Sequence, residues 1–196
     1  MPQPRTMKIL ERRMRQQGFS EDILTQLNFP EAKTGDKVIE LVNKMNKLLS
    51  KEQCLDIMGE HGCFKTGSFD KKSNAIGMEL KDKSISEKVE RASKLWNGYN
   101  NPAYINDKGD LVLEIGCFID GSKDRMLSVN NCACPPIYNY KKSLSVSHIF
   151  CGCCAGHQKH HWQNMLGIKL KLKSIELSSN KTDKGYPRVF IYKVLS

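Results

Sequence analysis

Ala155-Gly-His-Gln-Lys-His-His-Trp-Gln-Asn-Met-Leu166 runs into Gly167 and then into Ile168-Lys-Leu-Lys-Leu-Lys173. The period of the sequence changes across this stretch. Residues 155–166 suit a helix, and Gly167 is the residue type that ends one in a left-handed turn. From Ile168 the residues alternate apolar and lysine, the pattern of a strand with one buried and one wet face. A helix that passes directly into a half-buried strand has to fold back over the sheet, which is an α+β arrangement.

Working outward, Arg188 to Leu195 reads as the last strand, with Asn180-Lys-Thr-Asp-Lys-Gly185 as the turn before it. Upstream, Ala103-Tyr-Ile-Asn, Asp107-Lys-Gly109 and Asp110-Leu-Val-Leu-Glu-Ile-Gly-Cys117-Phe form a second hairpin pattern, with Leu111, Leu113, Ile115 and Cys117 alternating. A loop holding Pro135-Pro136 follows, and His148-Ile-Phe-Cys151 reads as a short strand or turn. The first half is helical in pattern. Met7–Gln17 ends at Gly18, and Ser20 caps a short helix through Leu27. Asp36–Leu49 carries Val38, Leu41, Val42, Met45, Leu48 and Leu49 at spacings of three and four. Ser50 caps a helix that Gly59 and Gly62 end, and Ser84 or Ser86 starts one through Trp96. The expectation is a helical N-terminal half followed by an antiparallel sheet with a packed helix. Residues 1–53 form the helical segment and residues 54–196 the α+β domain with a cysteine-rich site, the two making one compact unit.

Composition narrows the function classes. Hydrophobic residues make up 39% of the 196 and charged residues 27%, enough for a core and too apolar for general disorder. No apolar run approaches the roughly 20 residues a membrane span needs. The first seven residues lack a signal-peptide pattern, so the expected location is the cytoplasm. The net charge is +10, and eight basic against two acidic side chains fall after residue 147. Those lysines lack interleaved aromatics and arginines, which makes a solvated sheet face a better reading than a nucleic-acid surface.

Six of the eight cysteines lie between Cys117 and Cys154. In a reducing compartment such clustering points to metal or reactive thiols rather than disulfides. Cys132-Ala-Cys134 and Cys151-Gly-Cys153 are separated by 16 residues. Each pair is a tight chelate, and together they supply the four soft ligands of a closed tetrahedral zinc site at about 2.3 Å per Zn–S bond. Cys154 and His157 are alternates, three residues apart and on one side of a helix. His157 and His161 share a helix face without an intervening glutamate, so no metalloprotease motif is present. His160 and His161 read as surface or groove residues rather than ligands. Cys54 and Cys63 read as packing residues. There is no glycine-rich phosphate loop, no ordered Ser-His-Asp set and no paired carboxylates suited to acid–base work.

The run Cys151-Gly-Cys153-Cys154-Ala-Gly-His157, the helix to Leu166-Gly167, the alternating strand and the final strand resemble the C-terminal part of the 4-vinyl-reductase-like, hydrocarbon-binding proteins. They resemble still more a group of uncharacterised bacterial proteins with the same ending. In that group an earlier Cys-x-Cys corresponds to Cys132 and Cys134, and a helix ends as Leu55-Asp-Ile-Met58-Gly-Glu-His-Gly62-Cys63 does here. The resemblance covers 55–196, most firmly 132–195. It implies a helix on an antiparallel sheet enclosing a small-molecule pocket, with Cys132, Cys134, Cys151 and Cys153 near its mouth. One departure stands out: Gly185-Tyr-Pro187-Arg-Val-Phe190 lacks the cysteine that precedes phenylalanine in the group.

The leading expectation is therefore a zinc-containing module that binds or senses a small molecule. The alternatives are an enzyme using a metal-bound water or a reactive cysteine and, less favoured, a nucleic-acid-binding protein. No membrane partner is expected, and the residues leave the oligomeric state open.

Overall fold

A computed structural model describes residues 5–30, 35–61, 67–96, 103–119, 126–128, 145–180 and 186–195. It is α+β: a helical N-terminal half, then an antiparallel sheet with a long helix packed on it. The helices are α1 (Arg5–Gln16), α2 (Glu21–Leu27), α3 (Gly35–Leu48), α4 (Lys51–His61), α5 (Gly67–Glu79), α6 (Ile85–Leu95) and α7 (Gly152–Leu166). The strands are β1 (Ala103–Ile105), β2 (Leu111–Ile119), β3 (Met126–Ser128), β4 (Ser145–Ser147), β5 (Lys169–Leu177) and β6 (Tyr186–Leu195).

The deciding stretch folds as its periodicity demands. α7 ends at Gly167, which takes φ +68° and closes the helix with its N–H on the Gln163 carbonyl. The Gln163 side chain then accepts from Leu170 N at 2.8 Å, fixing the first residues of β5. Along β5, Leu170 and Leu172 are buried while Lys169, Lys171 and Lys173 face out. β5 pairs antiparallel with β6, β6 with β2 and β2 with β1, so the sheet order is β1-β2-β6-β5. The β1–β2 turn is closed by Asn106, whose Oδ1 accepts from Lys108 N at 3.0 Å and Asp110 N at 2.9 Å. β3 and β4 form a separate two-stranded ribbon, and residues 148–151 form a 3-10 turn leading into α7.

Helix α7 is the hub. It packs on α4, α5, α6 and β5, and one buried apolar cluster takes side chains from every helix and from β2, β5 and β6. Gly59 does not end a helix as the residues suggest; α4 runs past it to His61. A Cβ at Gly59 would lie 2.9 Å from Leu172 Cβ, so this glycine serves close packing of α4 on β5. Gly62, the second expected stop, lies outside the described residues, as do Cys63 and the 181–185 turn.

α6 begins with a reciprocal capping box. Ser84 Oγ accepts from Glu87 N at 3.3 Å, and the Glu87 carboxylate accepts from Ser84 N at 3.1 Å. The hydrogen bond from the Ser84 hydroxyl holds the Glu87 carboxyl below its ordinary pKa. α6 in turn supplies Lys88, whose Nζ donates to Leu166 O at 3.1 Å at the C-terminal end of α7. Ser84→Ala should lower the melting temperature by about 2–4 °C, the effect of losing one cap in a chain of this size. Thermal denaturation followed by circular dichroism checks this.

Candidate functional site

The N-terminal turn of α7 gathers the described part of the cysteine cluster. Cys151 closes the 3-10 turn and stands at the N-cap of α7, buried. Cys153 and Cys154 follow in the first helical turn, half-buried. Backbone N–H groups and the positive end of the helix dipole favour thiolates here. Gly152 lets the turn sit against α4, since a Cβ there would come within 2.4 Å of Met58 Cβ.

The sheet supplies a cation. Arg188 of β6 is 3% exposed, and its guanidinium donates to Cys151 Sγ. Four residues further on, in the next turn of the helix, Ala155 O accepts from the Tyr192 hydroxyl at 2.8 Å. Burial, and secondarily the charge of Cys154, push that hydroxyl well above its ordinary pKa, so it serves as a neutral donor. Cys54 is of another kind. Its Sγ donates to Met45 O at 3.5 Å, and burial pushes its thiol up to about 11, consistent with packing rather than chemistry.

Of the four expected thiolate ligands, Cys151 and Cys153 lie within one turn of each other, while Cys132 and Cys134 lie outside the described residues. The alternates Cys154 and His157 follow on the same helix, with His157 one turn beyond Cys153. Among the described residues, Cys151, Cys153, Cys154 and His157 do not by themselves bring three donor atoms within 4.8 Å of one another. A closed site at this turn therefore needs ligands from elsewhere in the chain.

Further along α7 lies a polar seam that the residues did not announce. His161 is not a surface residue: it is 0% exposed, between α5 and α6. Its Nδ1 is 3.1 Å from Ser73 Oγ and 3.8 Å from Asp70 Oδ1. His160, partly buried, places Nε2 2.6 Å from the same Asp70 oxygen. Asn164 Nδ2 donates to Ser73 Oγ at 3.1 Å. Phe69, Trp96 and His157 complete an aromatic wall, with Trp96 5.0 Å and His157 4.6 Å from the His161 ring centroid. Asp70, Ser73 and Gly77 share one face of α5. A Cβ at Gly77 would lie 2.2 Å from Asn164 O, so the glycine lets the two helices meet at backbone distance.

The basic sheet face is partly neutralised. Lys171 pairs with Asp56 at 3.1 Å, and Lys173 with the buried Asp110 at 2.6 Å. With Lys51, Glu52, Leu55, Leu172 and Lys193 these lysines line an open groove between α4 and the sheet. No described helix is long and apolar enough to cross a membrane. Comparison with protein-family models, with curated proteins and with solved structures yields no match to this chain.

Proposed function

We propose that this protein is a zinc-thiolate module that binds or senses a small molecule, with Cys132, Cys134, Cys151 and Cys153 as ligands. The observation that carries the reading is Arg188 donating to Cys151 from inside the fold. A guanidinium stays charged at any ordinary pH. Taking it out of water costs several kcal/mol unless an anion stands beside it. A thiolate at the N-cap of α7 is such an anion, and a zinc ion with four thiolates carries a net charge of −2, half of which a buried arginine offsets. Zinc in this setting would tie residues 132–134 to the start of α7 and contribute folding free energy directly.

Burial also weighs the same sulfur as ligand against nucleophile. A reactive cysteine needs access for its substrate, whereas Cys151 is 7% exposed. That favours a ligand role. The small-molecule part of the reading rests on the helix-on-sheet architecture and on the resemblance described above.

Elemental analysis of the purified full-length chain should find close to one zinc per chain. Cys151→Ser and Cys153→Ser, made separately, should each lose most of it and melt at least about 5 °C lower, because metal binding and folding are coupled. Less than a tenth of an equivalent of any metal in the unmodified protein, with every thiol titrating freely, would reject the zinc reading. Native mass spectrometry tests the ligand. A co-purified small molecule supports it, and a bare chain from several expression hosts counts against it.

A further inference from the structure

We propose that Asp70, His160 and His161 form a second site, one that takes a divalent first-row transition metal through nitrogen and oxygen ligands and leaves a coordination position open. The inference does not depend on the thiolate site. His160 lies seven residues beyond Cys153 on α7, about 10 Å along the axis, and Asp70 comes from a different helix.

The distances are close to those a metal requires. Imidazole nitrogen and carboxylate oxygen bind such ions at about 2.0–2.2 Å, which puts tetrahedral ligands about 3.3 Å apart. Asp70 Oδ1 is 2.6 Å from His160 Nε2 and 3.8 Å from His161 Nδ1, on either side of that value. All three donor atoms lie within 4.8 Å of one another. The two distances from Asp70 Oδ1 need to change by about 0.5–0.7 Å to match that spacing. Neighbouring histidines on a helix diverge by about 100°, and the site answers this by using different nitrogens, the far Nε2 of His160 and the near Nδ1 of His161.

The surroundings fit as well. Ser73 Oγ lies 3.1 Å from His161 Nδ1, the nitrogen that would face the ion, and accepts from Asn164, so an ion would take over the place that the Ser73 hydroxyl now holds on that nitrogen. Phe69 and Trp96 wall the inner side of His161, 6.1 and 5.0 Å from its ring centroid, which lowers the local dielectric around a bound ion. Asp70 and His160 remain partly exposed, at 36% and 25% of their side chains, so the ion has an entry path. Two histidines and one carboxylate with open positions make the donor set that suits zinc, iron(II), cobalt(II) or nickel(II) rather than magnesium or calcium.

Cobalt(II) separates this site from the thiolate site, because only cysteine ligands give an intense sulfur-to-metal charge-transfer band. In the full-length Cys151→Ser/Cys153→Ser variant, titration with cobalt(II) alone should reach one equivalent with weak ligand-field bands and no charge-transfer band. Asp70→Asn or His160→Ala in that background should weaken binding by more than about 100-fold. Unchanged affinity in both ligand variants, or no cobalt or zinc binding to the parent, would overturn the proposal. To guard against misfolding of any variant, the imidazole 15N signals of the unmodified, metal-stripped protein are followed as zinc(II) is added stepwise from zero to two equivalents. Movement of the His160 and His161 resonances supports the site, and movement confined to other residues overturns it.

Discussion

Gly77→Ala should destabilise the protein by more than about 2 kcal/mol and lower its melting temperature by roughly 5–10 °C. The sign makes this result informative. On an open helix surface the same change stabilises by about 1 kcal/mol, because alanine is the better helix former. Here the new methyl carbon would lie 2.2 Å from the main-chain oxygen of Asn164, about 1 Å inside contact. Neither partner is the free end of a side chain, so the whole of α5 has to move off α7. That movement carries Asp70 and Ser73 away from His160 and His161, whose contacts span the same two helices. Metal affinity at the proposed nitrogen–oxygen site should therefore fall together with stability. Gly67→Ala is the control: a Cβ there meets nothing within 4 Å, and the melting temperature should change little. Differential scanning calorimetry on the two variants distinguishes a packing glycine from an incidental one.

That same interface explains why part of the fold was legible and part was not. β5 could be read because its first half alternates between a buried and a wet face, and β2 because Leu111, Leu113 and Ile115 share one buried face, although Val112 on the other face is buried too. In β5, Leu170 and Leu172 lie opposite Lys169, Lys171 and Lys173. α3 could be read because six of its residues are buried in a continuous stripe. α5 could not, since only Ser73 and Ile76 of its residues are buried. It docks by a seam of small and polar side chains, Asp70, Ser73 and Gly77, whose contribution is hydrogen bonding and close approach rather than apolar area. Hydrophobic periodicity carries no trace of such a seam. The spacing of three and four among those residues is the one signal that could have shown it. Gly59 misled for a related reason, because a glycine that permits close packing and one that ends a helix look the same in a single sequence.

The candidate sites divide along the same line. Cysteine density pointed to the start of α7, and two of the four expected ligands, Cys151 and Cys153, do share that turn. Arg188, the charge that gives the turn its electrostatic sense, is 37 residues further on and was just one more basic residue in a lysine-rich tail. His160 and His161 read as surface or groove residues because nothing local showed that a carboxylate from residue 70 would meet them. In both places the partner comes from a distant element, and tertiary packing alone makes the pair.

Arg188→Met tests what kind of sulfur Cys151 is. Methionine fills similar space without charge, so the loss is mainly electrostatic. If Cys151 is a thiolate, the substitution leaves a buried anion without its cation, at a cost of about 3–5 kcal/mol, or roughly 10 °C in melting temperature. If Cys151 is a neutral thiol, the substitution exchanges a costly buried cation for an apolar side chain and should be neutral or stabilising. The double variant Arg188→Met/Cys151→Ala then separates the two ways a thiolate can arise here. For an isolated Arg188–Cys151 ion pair, removing both charges should restore most of the stability lost in the single variant. For a zinc thiolate it should not, because Cys151→Ala also removes a ligand whose binding energy is part of folding. The double variant then melts below Arg188→Met alone and carries little zinc. Stability, measured with and without a chelator across the four proteins of this cycle, thus assigns the charge at the N-cap of α7 to a metal site or to a bare ion pair.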